Sequence, residues 1–213
     1  MKYPYIFILT LFLGLSAFSQ SSFEKSTFKE GTPDNFLAET FLALNGNHSK
    51  GNGTVIVSFS LTKEGNIESV FPEKFKVQKH AINAILAIQK TSGMWNTTKV
   101  DGHSTRQKYK IAYNFLSPNS SYELDVKMAD KFASKKLYKR ALKYYNKAIQ
   151  SNAYEAMLYL KRAEVKGALN DFEGLKKDLL KCKSLQKEFL ANVQLGVIQP
   201  KTNRQLSYIN KEK

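Results

Sequence analysis

The sequence predicts an α+β protein: a small three-stranded antiparallel sheet with two helices, followed by an all-α array of helical hairpins. Two observations support this prediction. Residues 55–61 and 109–115 alternate apolar and polar side chains, as half-buried strands do, whereas residues 122–189 carry small and aromatic side chains that recur after 34 residues. A serine-rich stretch at 117–121 separates the two patterns, so we expect two compact parts.

The first nineteen residues have the pattern of an export signal. Lys2 is followed by an apolar stretch from Tyr5 to Leu15 and then by the small residues Ala17 and Ser19. We expect cleavage before Gln20, which places the mature chain in the periplasm or outside the cell, with residues 20–33 as a linker. Retention of the apolar stretch as a membrane anchor is the alternative.

The net charge of +15 is concentrated on the helical part, where residues 122–190 carry an excess of +7. In an exported protein this charge favours anionic lipids, acidic glycans or acidic protein surfaces over nucleic acid. We interpret the excess first as a solvated helix surface, because lysines recur at four-residue steps from Lys131 to Lys147, and binding to one of these anionic surfaces is the alternative. The single cysteine, Cys182, has no partner for an internal disulfide, and we expect it to be a buried thiol.

The elements of the α+β part follow in order along residues 34–117. A helix is predicted over 34–45 behind Asp34, a residue that can cap its first turn. A strand over 55–61 and a second from Ile67 to Phe71 are joined by a turn that contains Gly65, which gives a hairpin. A second helix over 77–91 covers one face of the sheet, and a third strand over 109–115 completes it.

These features together resemble the TonB C-terminal domain family. The residues that carry the resemblance are the strand Gly53-Thr54-Val55-Ile56-Val57-Ser58-Phe59, the Glu64-Gly65 turn, the helix around 81–88, Met94-Trp95, the Asp101-Gly102 turn and the closing Tyr113-Asn114-Phe115. The resemblance implies an exposed sheet edge that pairs with an extended peptide from an outer-membrane receptor. By resemblance the edge is the last strand, near Lys108, Lys110 and Ala112, and Trp95 is a core residue.

The recurring positions of the second part resemble tetratricopeptide repeats. Ala129, Tyr138, Ala141 and Ala148 correspond, 34 residues later, to Ala163, Phe172, Leu175 and Cys182. The resemblance implies two repeats over 122–189 and a concave groove that binds peptide, lined by Val126, Asp130, Met157, Leu160 and Glu164. A general array of helical hairpins is the alternative.

Two repeats alone bury little core, so something is expected to cover the end of the array. Apolar residues from Leu185 to Leu195 predict a capping helix over 184–196, which ends near Gly196 and is followed by a polar tail to Lys213. Packing against the α+β part and dimerisation are the alternatives.

No catalytic or cofactor-binding motif is recognisable in the sequence. His48, His80 and His103 lack partners at metal-ligand spacing, and no nucleophile elbow or phosphate-binding glycine loop occurs. We therefore expect a non-enzymatic adaptor of the cell envelope that binds protein or peptide partners, outer-membrane receptors among them, without a cofactor. A membrane-tethered TonB-type energy transducer is the alternative, and it requires the apolar N-terminal stretch to stay uncleaved.

Overall fold

The computed structural model describes residues 22–45, 53–116 and 120–196, which form a mixed α+β fold with six helices and two sheets. The elements are, in chain order, β1 (Phe23–Glu24), α1 (Pro33–Asn45), β2 (Gly53–Leu61), β3 (Ile67–Lys74), α2 (Gln78–Gln89), β4 (Thr98–Val100), β5 (His103–Thr105), β6 (Gln107–Leu116), α3 (Tyr122–Ser134), α4 (Tyr138–Ser151), α5 (Ala156–Ala168), α6 (Phe172–Glu188) and β7 (Phe189–Gly196). The predicted signal at 1–19 and the tail beyond 196 lie outside the described residues.

The larger sheet has four strands in the order β3-β2-β6-β7, one more than predicted. β2 is antiparallel to both β3 and β6, whereas β7 runs parallel to β6. The prediction of a capping helix over 184–196 is therefore wrong from Phe189 onward. Ala191, Val193 and Leu195 are buried in alternation with more exposed neighbours, which is the period of a strand whose apolar side faces a core.

Helices α1 and α2 cover the apolar face of this sheet. Leu37 and Phe41 of α1 and Ile88 of α2 are fully buried in one cluster with the inward side chains of β2, β6 and β7. Trp95 lies in the same cluster with 1% of its surface exposed, and its indole Nε1 donates to Thr91 Oγ1 at 2.9 Å. The prediction that Trp95 is a core residue is confirmed.

Part of the predicted linker at 20–33 is folded onto the sheet. β1 pairs with β4 in a second sheet of order β1-β4-β5. The ring of Phe28 packs against Trp95 with the centroids 4.9 Å apart. The turn before β3 comes close to the same tryptophan, because a Cβ atom on Gly65 would lie 2.3 Å from the Trp95 carbonyl oxygen. Gly65 also has φ +88°, so both backbone conformation and space require glycine there.

Helices α3 to α6 form two hairpins, α3–α4 and α5–α6, which pack on each other through α4 and α5. Small side chains lie at the crossings, where Ala129, Ala141, Ala148 and Ala163 are at most 1% exposed. The turn of each hairpin contains a non-glycine residue with positive φ, Lys136 at 59° and Asn170 at 62°. These residues are 34 positions apart, so the backbone repeats with the sequence period.

Cys182 is buried in the helical cluster, as predicted, and burial raises the pKa of its thiol.

Candidate functional site

The predicted binding edge on β6 is not an edge. Lys110 pairs with Phe189, and Ala112 pairs with Asn192, in the parallel ladder to β7, while both residues also pair with β2 on the other side. Only Lys108 lies beyond the β7 register, and its ammonium group sits 4.7 Å from the centre of the Phe71 ring. The prediction is wrong because residues 189–196 of the chain itself supply the strand that was expected from a partner. A strand from a receptor would have to displace β7 before it could pair with β6. The same holds if the protein is a TonB-type energy transducer.

The two outer edges of the four-stranded sheet are β3 and β7. β3 is irregular: its register with β2 shifts twice, Ser69 has φ 51°, and Pro72 lacks an amide hydrogen. On β7 the backbone N–H of Asn192 points away from β6 and donates to Asp34 Oδ1 at 2.8 Å. Lys25 Nζ donates to the backbone carbonyl oxygen of Phe189 at 2.6 Å. Bulges, proline and capped backbone groups all oppose the addition of a further strand.

A row of polar side chains crosses the sheet and joins it to the helical half. Thr54 Oγ1 donates to Asn114 Oδ1 at 2.9 Å, and the amide of Asn114 donates in turn to Asn192. Asn192 Nδ2 donates to Glu155 Oε2 at 3.0 Å, at the start of α5. Because Asn114 is 1% exposed, these hydrogen bonds satisfy groups that have lost their water.

A second connection between the halves is ionic. Lys110 Nζ lies 2.9 Å from Glu73 Oε2 on β3 and 3.6 Å from Glu188 Oε2 at the end of α6. The hydrogen bond that Lys110 donates to the Glu73 carboxylate is the main cause that raises the pKa of Lys110. The side chain predicted to meet a receptor peptide is thus engaged within the chain.

A cleft of about 230 Å³ lies where α1, β7 and the second hairpin meet. Burial raises the pKa of Asp34 and lowers the pKa of Lys25, since both charged groups have lost solvent here. Both side chains hold β7, through the hydrogen bonds to Asn192 and Phe189 described above. We therefore interpret this cleft as the seam between the two halves.

The predicted groove residues lie on α3 and α5, and one ion pair brings these helices together. Lys161 Nζ is 2.8 Å from Asp130 Oδ2, while Tyr145 of α4 donates to Asp130 Oδ1 at 2.6 Å. Burial, followed by the contact with Asp130, raises the pKa of Tyr145. Asp130 is thus already paired, and Lys161, which no motif singles out, is the cation of this face.

The other predicted groove residues differ in exposure. Val126 and Leu160 are partly buried against the helical cluster, whereas Met157 is 47% exposed and Glu164 is exposed. Met157, Leu160, Lys161 and Glu164 follow helical spacing along α5, so they share one side of it. The α3/α5 face, defined by Val126, Asp130, Met157, Leu160, Lys161 and Glu164, therefore offers an apolar contact flanked by both signs of charge.

Among the described residues, no group of three or more His, Cys, Asp and Glu side chains could hold a metal ion. His80 is buried and stacks on Phe115 with ring centroids 4.3 Å apart, His103 is exposed in β5, and His48 lies outside the described residues. No helix in the described ranges has the length and apolar character needed to cross a membrane.

Comparison with known proteins adds no relative. No family model, no curated protein and no solved structure matches the chain. The resemblances to the TonB C-terminal domain and to tetratricopeptide repeats therefore stay predictions from the motifs.

Proposed function

We propose that the protein is a non-enzymatic adaptor of the cell envelope that binds a protein or peptide partner on the α3/α5 face. The observation that carries the proposal is the contrast between two surfaces. The β6 edge is filled by β7. On the α3/α5 face, by comparison, Met157 is 47% exposed beside the Asp130–Lys161 pair.

The chemistry of this face suits a peptide with apolar and charged residues. An exposed methionine adapts its shape to different apolar partners. The Asp130–Lys161 pair has side chains that are 42% and 34% exposed, so a partner's charges can compete for either member. Glu164, one turn after Lys161, adds an acceptor for a basic residue of the partner.

The expected partners are proteins of the compartment to which the chain is exported, outer-membrane receptors among them. The resemblance to tetratricopeptide repeats supports the α3/α5 face as the concave side of the array. Strand addition to β6 is not part of this proposal, because the chain occupies that edge itself.

The test is a quantitative capture experiment with proteins of the envelope, followed by affinity measurement on each captured partner. Met157→Glu places a charge at the centre of the α3/α5 face, and we expect at least a tenfold loss of affinity, since an interface contact desolvates that position. Leu179→Glu is the matched control, because Leu179 on α6 is 41% exposed and Met157 is 47% exposed.

Retention of the partner by the Leu179→Glu variant together with its loss from the Met157→Glu variant would support the proposal. Equal affinity of the partner for the original protein, the Met157→Glu variant and the Leu179→Glu variant would overturn the assignment to the α3/α5 face. Circular dichroism of each variant checks that the helices are intact.

A further inference from the structure

The positive charge of the helical half is concentrated in a single stretch. Residues 131–154 contain no acidic side chain but include seven basic ones: Lys131, Lys135, Lys136, Lys139, Arg140, Lys143 and Lys147. In the part of the chain that the structure describes, none of these seven takes part in an ion pair. Elsewhere in the helical half, Lys161, Arg162 and Lys166 are paired with acids. The stretch therefore presents unneutralised charge to its surroundings.

Four of these cations share one side of α4. Lys139, Arg140, Lys143 and Lys147 are all exposed, whereas Ala141, Tyr145 and Ala148 are buried. At about 100° per residue, the four cations lie opposite the buried stripe. α4 is thus an amphipathic helix whose exposed charged side chains are all basic.

Aromatic rings lie between the cations. Phe132 of α3 and Tyr144 of α4 stack with centroids 5.5 Å apart and an interplanar angle of 26°. The Arg140 guanidinium carbon is 5.6 Å from the Phe132 centroid, and Lys147 Nζ is 5.3 Å from the Tyr144 centroid. Leu124, about two turns before Phe132 on α3, is 60% exposed. Charge and apolar surface are therefore combined on the α3–α4 hairpin.

We propose that this hairpin docks on a membrane surface that contains anionic lipids. The docking surface consists of the cations of 131–147 with the Phe132 and Tyr144 rings and Leu124. Basic side chains are attracted by the negative potential of such a surface, and aromatic and apolar side chains enter the boundary between headgroups and acyl chains. An open depression of about 330 Å³ at the start of α4, lined by Lys136, Lys139 and Arg140 among others, admits a lipid phosphate group.

Charge complementarity favours a lipid surface over a second copy of the chain. Three of the other exposed apolar side chains of the array, Phe172, Leu179 and Leu180 on α6, lie among further lysines such as Lys176, Lys177 and Lys181. Association of one copy through α3–α4 with α6 of another would bring like charges together. An anionic lipid surface neutralises the cations and needs no matching shape.

The test is flotation of the full chain with lipid vesicles. Vesicles of phosphatidylcholine alone measure the contribution of the apolar stretch from Tyr5 to Leu15, and vesicles with 30% phosphatidylglycerol add the negative charge. We expect the anionic vesicles to bind the chain more tightly at low salt, and this gain to disappear near 0.5 M salt because exposed charges are screened.

Substitutions locate the binding surface. The combined variant Lys139→Gln, Arg140→Gln, Lys143→Gln and Lys147→Gln should lose the preference for anionic over neutral vesicles. We expect the affinity for anionic vesicles to fall about fivefold for each cation that lies near the lipid surface. Its matched control is Lys176→Gln, Lys177→Gln, Lys181→Gln and Lys183→Gln on α6, which removes the same charge from exposed positions. We expect the control to stay within about threefold of the original chain.

Three results would overturn the proposal. Equal losses in the two variants would assign binding to net charge alone. Equal binding to neutral and anionic vesicles would assign it to the apolar N-terminal stretch. Binding to poly-glutamate or duplex DNA, with none to anionic vesicles, would assign the same cations to an acidic polymer. Circular dichroism excludes unfolding as the cause of a loss.

Discussion

The two halves of the molecule are stabilised in different ways. In the sheet half, large rings fill the core, and Trp95, Tyr109 and Phe59 are at most 1% exposed. In the helical half, alanines let the helices approach, and a buried carboxylate, Asp178, takes part in holding α5 to α6. Burial of apolar surface depends little on pH, whereas a buried charge depends on its partners. The halves should therefore respond differently to substitution and to acid.

The charge cluster of the helical half is compact. Arg162 Nη2 lies 2.7 Å from Asp178 Oδ1, and Arg162 Nε donates to Oδ2 at 2.8 Å, so the contact is bidentate. Lys166 Nζ is 2.9 Å from Oδ2. Burial opposes the charge of Asp178, but the hydrogen bonds from Arg162 and Lys166 outweigh it and lower the pKa of the carboxyl group.

The largest expected effect tests whether the two halves unfold independently. β7 follows the four helices in the chain but belongs to the sheet, so damage to β7 should destabilise both halves. Val193→Asp places a carboxylate at a fully buried position of β7. We expect a loss of more than about 4 kcal/mol in the free energy of unfolding, with both halves affected together. Urea unfolding followed by Trp95 fluorescence reports the sheet, and circular dichroism at 222 nm reports mainly the helices.

The control for this substitution is Gln194→Asp, the next residue of β7, which is exposed. It should cost under about 1 kcal/mol. If the fluorescence transition of the Val193→Asp protein shifts while the helical signal keeps its midpoint, the halves unfold independently and β7 does not couple them.

The second expected effect measures how much the buried charge of Asp178 stabilises the helical half. Asp178→Asn keeps the shape of the side chain but leaves Arg162 and Lys166 without their anion, and we expect a cost of about 3 kcal/mol in urea unfolding. Because the folded pKa of Asp178 is lowered, its contribution is complete above the ordinary value of 3.8 and is lost as pH falls below it. Glu173→Gln, at an exposed position of the same helix, should change stability little.

The smallest effect concerns the sheet half at mildly acidic pH. Burial, followed by the nearby Lys79, lowers the pKa of His80, which is 5% exposed. Stability from neutral His80 is therefore complete above the ordinary value of 6.5 and is lost as pH falls from there to the lowered pKa. Melting temperatures between pH 8 and pH 5 should fall by a few degrees. His80→Gln should remove this slope and His103→Gln should retain it; an unchanged slope in the His80→Gln protein would assign it to another group.

Local patterns predicted most of the individual elements. The alternation from Val55 to Leu61 and the helical spacing from Ala81 to Ile88 lie within β2 and α2 as expected, because each segment faces a single core. The 34-residue period located all four helices of the hairpins. The short strands β1, β4 and β5 were missed, since two or three residues give no period to detect.

The error at residues 189–196 has a different cause. Leu185, Phe189 and Val193 follow a helical spacing, while Ala191, Val193 and Leu195 follow that of a strand, so the local sequence fits both. The choice is made by β6, whose unpaired backbone groups accept a parallel strand. That partner lies about 80 positions earlier in the chain, and no local window contains both. For the candidate site, the alternation from Tyr109 to Phe115 located β6 correctly, but it could not indicate that β7 pairs with this strand.

The position of β7 in the chain has a consequence for folding. During synthesis the residues of β2, β3 and β6 emerge first, and the strand that completes their sheet follows only after four helices. Until then β6 has an open, apolar-flanked edge, which is the kind of surface on which nascent chains aggregate. Contacts across so long a separation also slow the search for the native state. Final assembly of the sheet must therefore wait for the helical hairpins to bring β7 back, and this interval is when the chain most needs protection by a chaperone.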